Sequence, residues 1–259
     1  MDLGIAGRKA IVCASSEGLG RGCAIALAEA GCTVIINGRT QETLDQTAED
    51  IRRATGATII AVAADVSTPE GQTALLAACP DADILVNNNG GPPRKDHMEL
   101  TREAMVEGVV QNMVTPIELI QACAPGMAER GFGRIVNITS LSVLMPIEGL
   151  DLSSGARAGL TSFLAGVRPV YAPKGVTINN LLPGKMDTKR LQGGLKAAAD
   201  ASGQPYEAIA QAQMDGIPAA RFGTAEEFGN TCAFLCSQHA GYITGQNLLM
   251  DGGLFPHAF

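Results

Sequence analysis

Short apolar runs recur along the chain, separated by longer stretches in which apolar positions return every three or four residues. Residues 9–14, 33–37, 58–63, 83–87, 176–181 and 247–250 read as buried strands. So does the run through Ile135, Val136 and Ile138, which closes on Thr139 and Ser140. Helical periods occupy 19–30, 40–55, 69 to about 79, 101–129 with an interruption near Pro116, about 152–170, a loop-broken stretch over 187–216, and 224–236. Gly31 and Gly56 stand where helices should stop, and Pro69 where one should start. Asp151, Ser153 or Ser154 can cap the helix that follows Ser140. Strands alternating with helices imply βαβ units, right-handed crossovers and a mainly parallel sheet of seven strands covered by helices on both faces. No linker or repeat divides the chain, so one α/β domain is expected over 1–259.

Composition narrows this picture. Of 259 residues, 46% are hydrophobic and 17% charged, which suits one large buried core. The net charge of −7 argues against a nucleic-acid partner. Seven cysteines, an odd number, lie mostly in apolar runs without a CxxC pair, so buried free thiols in a reducing compartment are expected, and no metal. The first ten residues lack an apolar signal core, and no run of about 18 apolar residues follows. The expectation is a cytoplasmic protein with no membrane partner.

Two places carry chemistry. The turn CASSEGLGRG joins the first strand to the first helix. Gly18 and Gly20 let a ligand approach the backbone, and the helix start offers unpaired N–H groups to a phosphate. The second strand ends in Asn37-Gly38-Arg39, with no acid to accept a ribose hydroxyl. Arg39 can pair with a 2′-phosphate, which points to NADP(H); otherwise it is a solvated surface arginine. The second place is the fifth strand's carboxyl end, where Ser140 meets a helix presenting side chains one turn apart. Ligands sit at that edge in open α/β sheets.

Over nearly its whole length the chain resembles the short-chain dehydrogenase/reductase family, in particular members like 3-oxoacyl-carrier-protein reductase. The family's TGxxxGxG is matched by Cys13-Ala14-Ser15-Ser16-Glu17-Gly18-Leu19-Gly20, with Cys13 and Ala14 replacing its Thr and first Gly. Asp65-Val66, Asn87-Asn88-Asn89-Gly90, Pro183-Gly184-Lys185-Met186-Asp187-Thr188, Tyr242-Ile243-Thr244-Gly245-Gln246 and Asp251-Gly252-Gly253 match further motifs in order. The resemblance implies a Rossmann-type three-layer sandwich. Its cofactor-binding residues would be Ala14, Ser15, Ser16, Gly18, Leu19, Gly20, Arg39, Asp65, Val66, Asn88, Gly90, Pro183, Gly184 and Thr188. It also implies a substrate-covering segment over about 187–216 and a homotetramer pairing through the long fourth and fifth helices and the last strand. The tail from Gly253 to Phe259 is compatible with a buried terminus.

The family's catalytic set is Asn, Ser, Tyr and Lys. Asn112 and Ser140 match the first two, but Ser153 stands where the tyrosine is expected and Arg157 where the lysine is. Serine is a far weaker acid than a phenol, and arginine stays protonated, so the usual proton transfer is impaired. Arginine can still stabilise negative charge or grip an anion. Tyr171 and Lys174 are spaced YxxK near a helix end, too far along to substitute. Asp151 and Lys185 are alternative acids, and His97 can meet substrate from a loop; each also has a plain structural reading. The expected function is NADP(H)-dependent oxidation–reduction of a small carbonyl or alcohol substrate. A non-redox enzyme on the same scaffold and a dinucleotide-binding protein without turnover remain open beside it.

Overall fold

The computed structural model describes residues 1–92 and 94–256, so the expectation for Phe259 lies outside the described residues. Seven strands form one sheet: β1 (Lys9–Val12), β2 (Thr33–Gly38), β3 (Ile59–Ala63), β4 (Ile84–Asn87), β5 (Gly133–Ile138), β6 (Val176–Pro183) and β7 (Asn247–Met250). Their order is β3-β2-β1-β4-β5-β6-β7, and every neighbouring pair is parallel. The order reverses between β1 and β4. A crevice therefore opens above their carboxyl ends, where two crossovers leave the sheet in opposite directions.

The helices are α1 (Gly18–Glu29), α2 (Gln41–Thr55), α3 (Pro69–Ala77), α4 (Arg102–Val109), α5 (Thr115–Glu129), α6 (Asp151–Tyr171), α7 (Lys189–Ser202), α8 (Tyr206–Asp215) and α9 (Ala225–Cys236). One core cluster packs α1, α2 and α9 on one face of the sheet through Leu27, Leu44, Ile51 and Phe228. The other packs α3, α5 and α6 on the opposite face through Leu75, Leu119, Met127 and Leu160. All seven cysteines are buried and unpaired. Burial pushes the thiols of Cys13, Cys32 and Cys123 up to about 12, which keeps them protonated and inert.

The long helix expected over 101–129 is broken as anticipated, by a π segment at Val110–Val114 just before Pro116. Proline has no N–H to continue the ladder, and the widened turn accommodates that loss. The α6 cap differs from expectation. Leu150 is the cap residue, without a side-chain bond, and Asp151 lies inside the first turn, where its charge suits the helix dipole. Ser154 Oγ instead donates to the Leu150 carbonyl at 2.8 Å.

The first strand stops at Val12 rather than Ala14 because the chain turns sharply upward. Ala14 has φ +43°, a left-handed conformation that L side chains resist. A glycine would adopt it freely. Ala14→Gly is therefore expected to stabilise the protein by about 1 kcal/mol, seen as a rise of roughly 2–4 °C in thermal melting by circular dichroism. A lower melting point would show that the turn is not strained.

Candidate active site

The turn after β1 is held by buried polar groups. Ser15 is fully buried; its Oγ donates to the Val12 carbonyl at 2.7 Å and accepts from Asn37 N at 2.9 Å. Asn37 Nδ2 donates to the carbonyls of Val62 and Ala64, both at 3.0 Å, which ties β2 to the end of β3. Asn88 Nδ2 donates to the Ala14 carbonyl at 3.0 Å from the β4 side. A Cβ at Gly20 would run into that same carbonyl, so only glycine lets α1 approach the turn this closely. Ser15 and Asn88 thus build the cradle, and the surface a ligand would meet comes from Ser16, Gly18 and the first turn of α1.

That first turn has no side-chain cap, whereas Thr68, Thr101, Thr188 and Thr224 cap α3, α4, α7 and α9. Its N–H groups remain available to an anion. Thr188, the cap of α7, sits 3.7 Å from where a Gly18 Cβ would be, so the motif after β6 closes against the motif after β1. Lys189 Nζ pairs with Glu17 at 2.6 Å and offsets the one acid beside the turn. Ser16 packs on Gly38, next to Arg39. Arg39 is exposed and makes no hydrogen bond or ion pair among the described residues. These groups fit a dinucleotide with a 2′-phosphate: uncapped amides for the pyrophosphate and a free guanidinium at the ribose end. Val66 is buried, and Asp65 accepts from Ser67 N at 2.9 Å, which shapes the wall after β3. Gly90 is exposed after β4, and Pro183 and Gly184 close β6, where Gly184 N donates to the Met250 carbonyl at 2.9 Å.

The catalytic candidates converge at the end of β5. Ser140 is half-buried, and its Oγ accepts from Ser142 N at 3.1 Å. Ser153 and Arg157 lie one turn apart on the buried face of α6. Arg157 Nε donates to Ser153 Oγ at 3.3 Å, and its Nη1 donates to the Ile138 carbonyl at 2.7 Å. Arg157 forms no ion pair among the described residues. Burial, and then the charge of Arg190, push its guanidinium down to about 10, which leaves it cationic at neutral pH.

Beneath it lies a cavity of about 20 Å³ lined by Asn87, Asn112, Thr115, Asn137, Ile138 and Arg157 among others. Asn87 Oδ1, Asn112 Oδ1 and Thr115 Oγ1 are buried there without a protein partner. That space suits one water, which could donate to the two amide oxygens and accept from the Thr115 hydroxyl. Asn112 Nδ2 is held by the Gly108 carbonyl at 3.1 Å, so its oxygen is fixed toward the cavity.

Sequence reasoning missed what supports this floor. Four asparagines in register link four strands: Asn87 Nδ2 to Asn137 Oδ1 at 2.9 Å, Asn137 Nδ2 to Asn180 Oδ1 at 3.1 Å, and Asn180 Nδ2 to Asn247 Oδ1 at 2.8 Å. The signal was present as an Asn in each of the four strands, near the carboxyl end of β4 and β5, in the middle of β6 and at the start of β7. Other candidates lie elsewhere. His97 is exposed in a short 3₁₀ turn, Asp151 is exposed, and Tyr242 is fully exposed. Tyr171 ends α6, eighteen residues beyond Ser153, or roughly 27 Å along the helix. Lys185 is half-buried just after β6, and burial together with Arg94 lowers its proton affinity. Among the described residues no cluster of metal ligands exists and no helix is long and apolar enough to cross a membrane.

A wide groove of about 1690 Å³ lies instead over α1 and α2 and is lined by acids including Glu29, Glu42, Asp45 and Asp50. It shares Ser16, Gly18 and Thr188 with the nucleotide site. Its acids suit no phosphate, so only the end it shares with the α1 start belongs to the nucleotide site.

Comparison with known proteins agrees with this geometry. The family described as Enoyl-(Acyl carrier protein) reductase matches residues 13–255. A 3-oxoacyl-[acyl-carrier-protein] reductase of Aquifex aeolicus is 31% identical over 98% of this chain and 100% of its own. The NADPH-dependent reductase BacG of Bacillus subtilis is 30% identical over 95% of this chain and 97% of its own. Among solved structures, L-sorbose reductase from Gluconobacter frateurii, complexed with NADPH and L-sorbose, aligns over 100% of both chains with a TM-score of 0.94 at 28% identity. An all-parallel seven-stranded sheet, a phosphate-ready turn at its switch point and a serine at the end of β5 thus come together in a chain that belongs to the short-chain dehydrogenase/reductase family.

Proposed function

We propose that the protein is an NADPH-dependent reductase of a carbonyl-bearing small molecule in which Ser153 and Arg157 replace the usual tyrosine and lysine. The observation that carries this reading is the Arg157 Nε to Ser153 Oγ hydrogen bond, set in a closed pocket at the carboxyl end of β5. Because Nε–H occupies a lone pair of Ser153 Oγ, the serine proton is left to donate outward to a substrate oxygen. Ser140 Oγ offers a second donor. The fixed positive charge of Arg157 then favours negative charge building on that oxygen. NADPH, when bound, supplies the hydride to the carbonyl carbon, and solvent supplies the final proton. A site without a positioned general acid works more slowly, by roughly 10²–10⁴-fold.

Two relatives named as NADPH-dependent or bound to NADPH support the choice of cofactor, as does the unpaired Arg39. Titration calorimetry is expected to give NADPH at least about tenfold tighter binding than NADH, with the preference lost in Arg39→Ala. Equal affinities in the unaltered protein would remove Arg39 from the site.

The double substitution Ser153→Tyr with Arg157→Lys is expected to raise the rate of substrate-dependent NADPH oxidation by about 10²-fold. A correctly folded double variant with no gain would mean that Ser153 does not face the substrate. Substrate consumed without NADPH loss would favour a non-redox reaction, which the lack of a phenol in this pocket suits.

The assembly we infer is a homotetramer. Met105 and Val106 on α4, Phe163 on α6 and Leu248 on β7 are large apolar side chains left more than a third exposed, on the faces expected to pair. Light scattering should give the mass of four copies of the 26.7 kDa chain; a monomer would overturn this. The buried, unpaired thiols fit a reducing compartment, in keeping with a cytoplasmic enzyme.

A further inference from the structure

Arg94 follows β4, Arg157 bonds the end of β5, and Lys185 and Arg190 follow β6, so four cations stand at one edge of the sheet in a chain of net charge −7. Arg190, on the first turn of α7, donates from Nη1 to the Gly91 carbonyl at 3.4 Å and from Nη2 to the Pro92 carbonyl at 3.2 Å. This bridges the covering segment to the loop after β4. That loop is also held from the α6 side, where Lys95 N donates to the Gly149 carbonyl at 3.1 Å. Arg94 lies against Gly149, its Cβ 3.6 Å from where a Gly149 Cβ would be. Lys185 projects from the segment after β6, and Arg157 forms the base.

These four cations sense one another: Arg157 responds to Arg190, and both Arg190 and Lys185 respond to Arg94. Burial and like charge lower the proton affinity of Arg157, Arg190 and Lys185. None of the four forms an ion pair among the described residues. The acids nearest in sequence are committed elsewhere or turned to solvent: Asp187 accepts from Gln192, Asp96 from Met98 N, and Glu148 and Asp151 make no bond to the cluster.

Cofactor phosphates do not account for the cluster. Arg39 follows β2, three strand positions from β5, or roughly 14 Å across the sheet. The pyrophosphate belongs at the α1 start, where the α7 residue that reaches over is Lys189, already paired with Glu17. Arg190 is the next residue of the helix, turned about 100° away. It faces the loop after β4 instead.

We propose that the substrate carries an anionic group, a carboxylate or a phosphate, held between Arg94, Lys185 and Arg190 above Arg157. This deepens the reductase reading and rests on it. The anion would relieve the repulsion among the four cations. It would also fix which carbonyl face lies over Ser140 and Ser153, giving the pocket selectivity for charged over neutral carbonyl compounds.

The test uses protein saturated with NADP⁺, in which a ketone cannot be reduced. Calorimetric titrations compare levulinate with its methyl ester, and dihydroxyacetone phosphate with dihydroxyacetone. At least one charged probe should bind about tenfold or more tightly than its neutral partner, and which pair does so identifies carboxylate or phosphate. That advantage should vanish in Arg94→Gln and in Arg190→Gln. Arg94 makes no hydrogen bond among the described residues, so Arg94→Gln should fold normally and keep its NADP⁺ affinity within about twofold. The proposal is overturned if neither charged probe is preferred, if the preference survives both substitutions, or if the charged probes displace NADP⁺. A protein that binds no NADP⁺ would sink the reductase reading, and the same titrations on the free protein would still decide the anion site.

Discussion

The site is organised around a buried guanidinium that pairs with no acid among the described residues. Arg157 is 8% exposed and hydrogen-bonds the Ile138 carbonyl and Ser153. Desolvating a charge costs several kcal/mol when no counter-ion offsets it. A carbonyl and a hydroxyl recover only part of that, since each is a dipole. The bond to Ile138 nevertheless fixes α6 on the end of β5, and so fixes Ser153 relative to Ser140, two residues past Ile138. Removing the charge would relax the site; keeping it makes the pocket an attractor for negative charge, whether on a substrate anion or on a carbonyl oxygen during reduction.

The floor has to be rigid for that arrangement to hold, and the asparagine ladder supplies rigidity. Asn137 and Asn180 each donate and accept, Asn87 donates at one end and Asn247 accepts at the other, so four strands are cross-linked just below the site by side chains as well as by backbone. Buried polar networks of this kind specify one packing when they are satisfied. Here the ladder ends at Asn87, whose free oxygen faces the same small cavity as Asn112 and Arg157. The sheet's polar spine therefore ends on the same cavity that Asn112 and Arg157 line.

Much of this was legible in the chain, for reasons that differ by element. Most of the strands were found because β-branched runs buried on both faces are continuous and short, whereas the edge strands β3 and β7 are partly exposed and β7 has no β-branched residue; the ends were missed by at most two residues. The Ser153–Arg157 pair was readable because i, i+4 spacing fixes a shared helix face. The Ser140–Ser142 turn and the α6 cap were not. Capping depends on the path of residues 145–150, and Leu150 takes the cap position although Asp151, Ser153 and Ser154 have better side chains for it. Ser15 matched a nucleotide motif, yet its hydroxyl is spent inside the fold on Val12 and Asn37, which a motif cannot reveal. The ladder and the cationic rim were hidden for a common reason. Their members come from different strands and loops, as in the 43-residue separation of Asn137 and Asn180 and the 98-residue separation of Arg190 and Pro92. Only the folded sheet brings them together.

The division of charge over the molecule extends the argument from the pocket to the way ligands reach it. Acids line the wide groove over α1 and α2, while cations ring the narrow crevice above β5 and β6. A dinucleotide phosphate meets the uncapped start of α1, at the end of the groove away from most of its acids, which would leave the cations above β5 and β6 to a substrate anion. Fields of this kind are screened over about 8–10 Å at ordinary ionic strength, so they act at the mouth of the site rather than at a distance. A neutral ketone would gain nothing from such a mouth. On the proposal above, an anionic one would be concentrated at it, turned charged end toward the cations, with its carbonyl over the two serines. The same cations that destabilise the free pocket thus supply orientation once it is filled, which is how binding energy from a non-reacting group contributes to a chemical step.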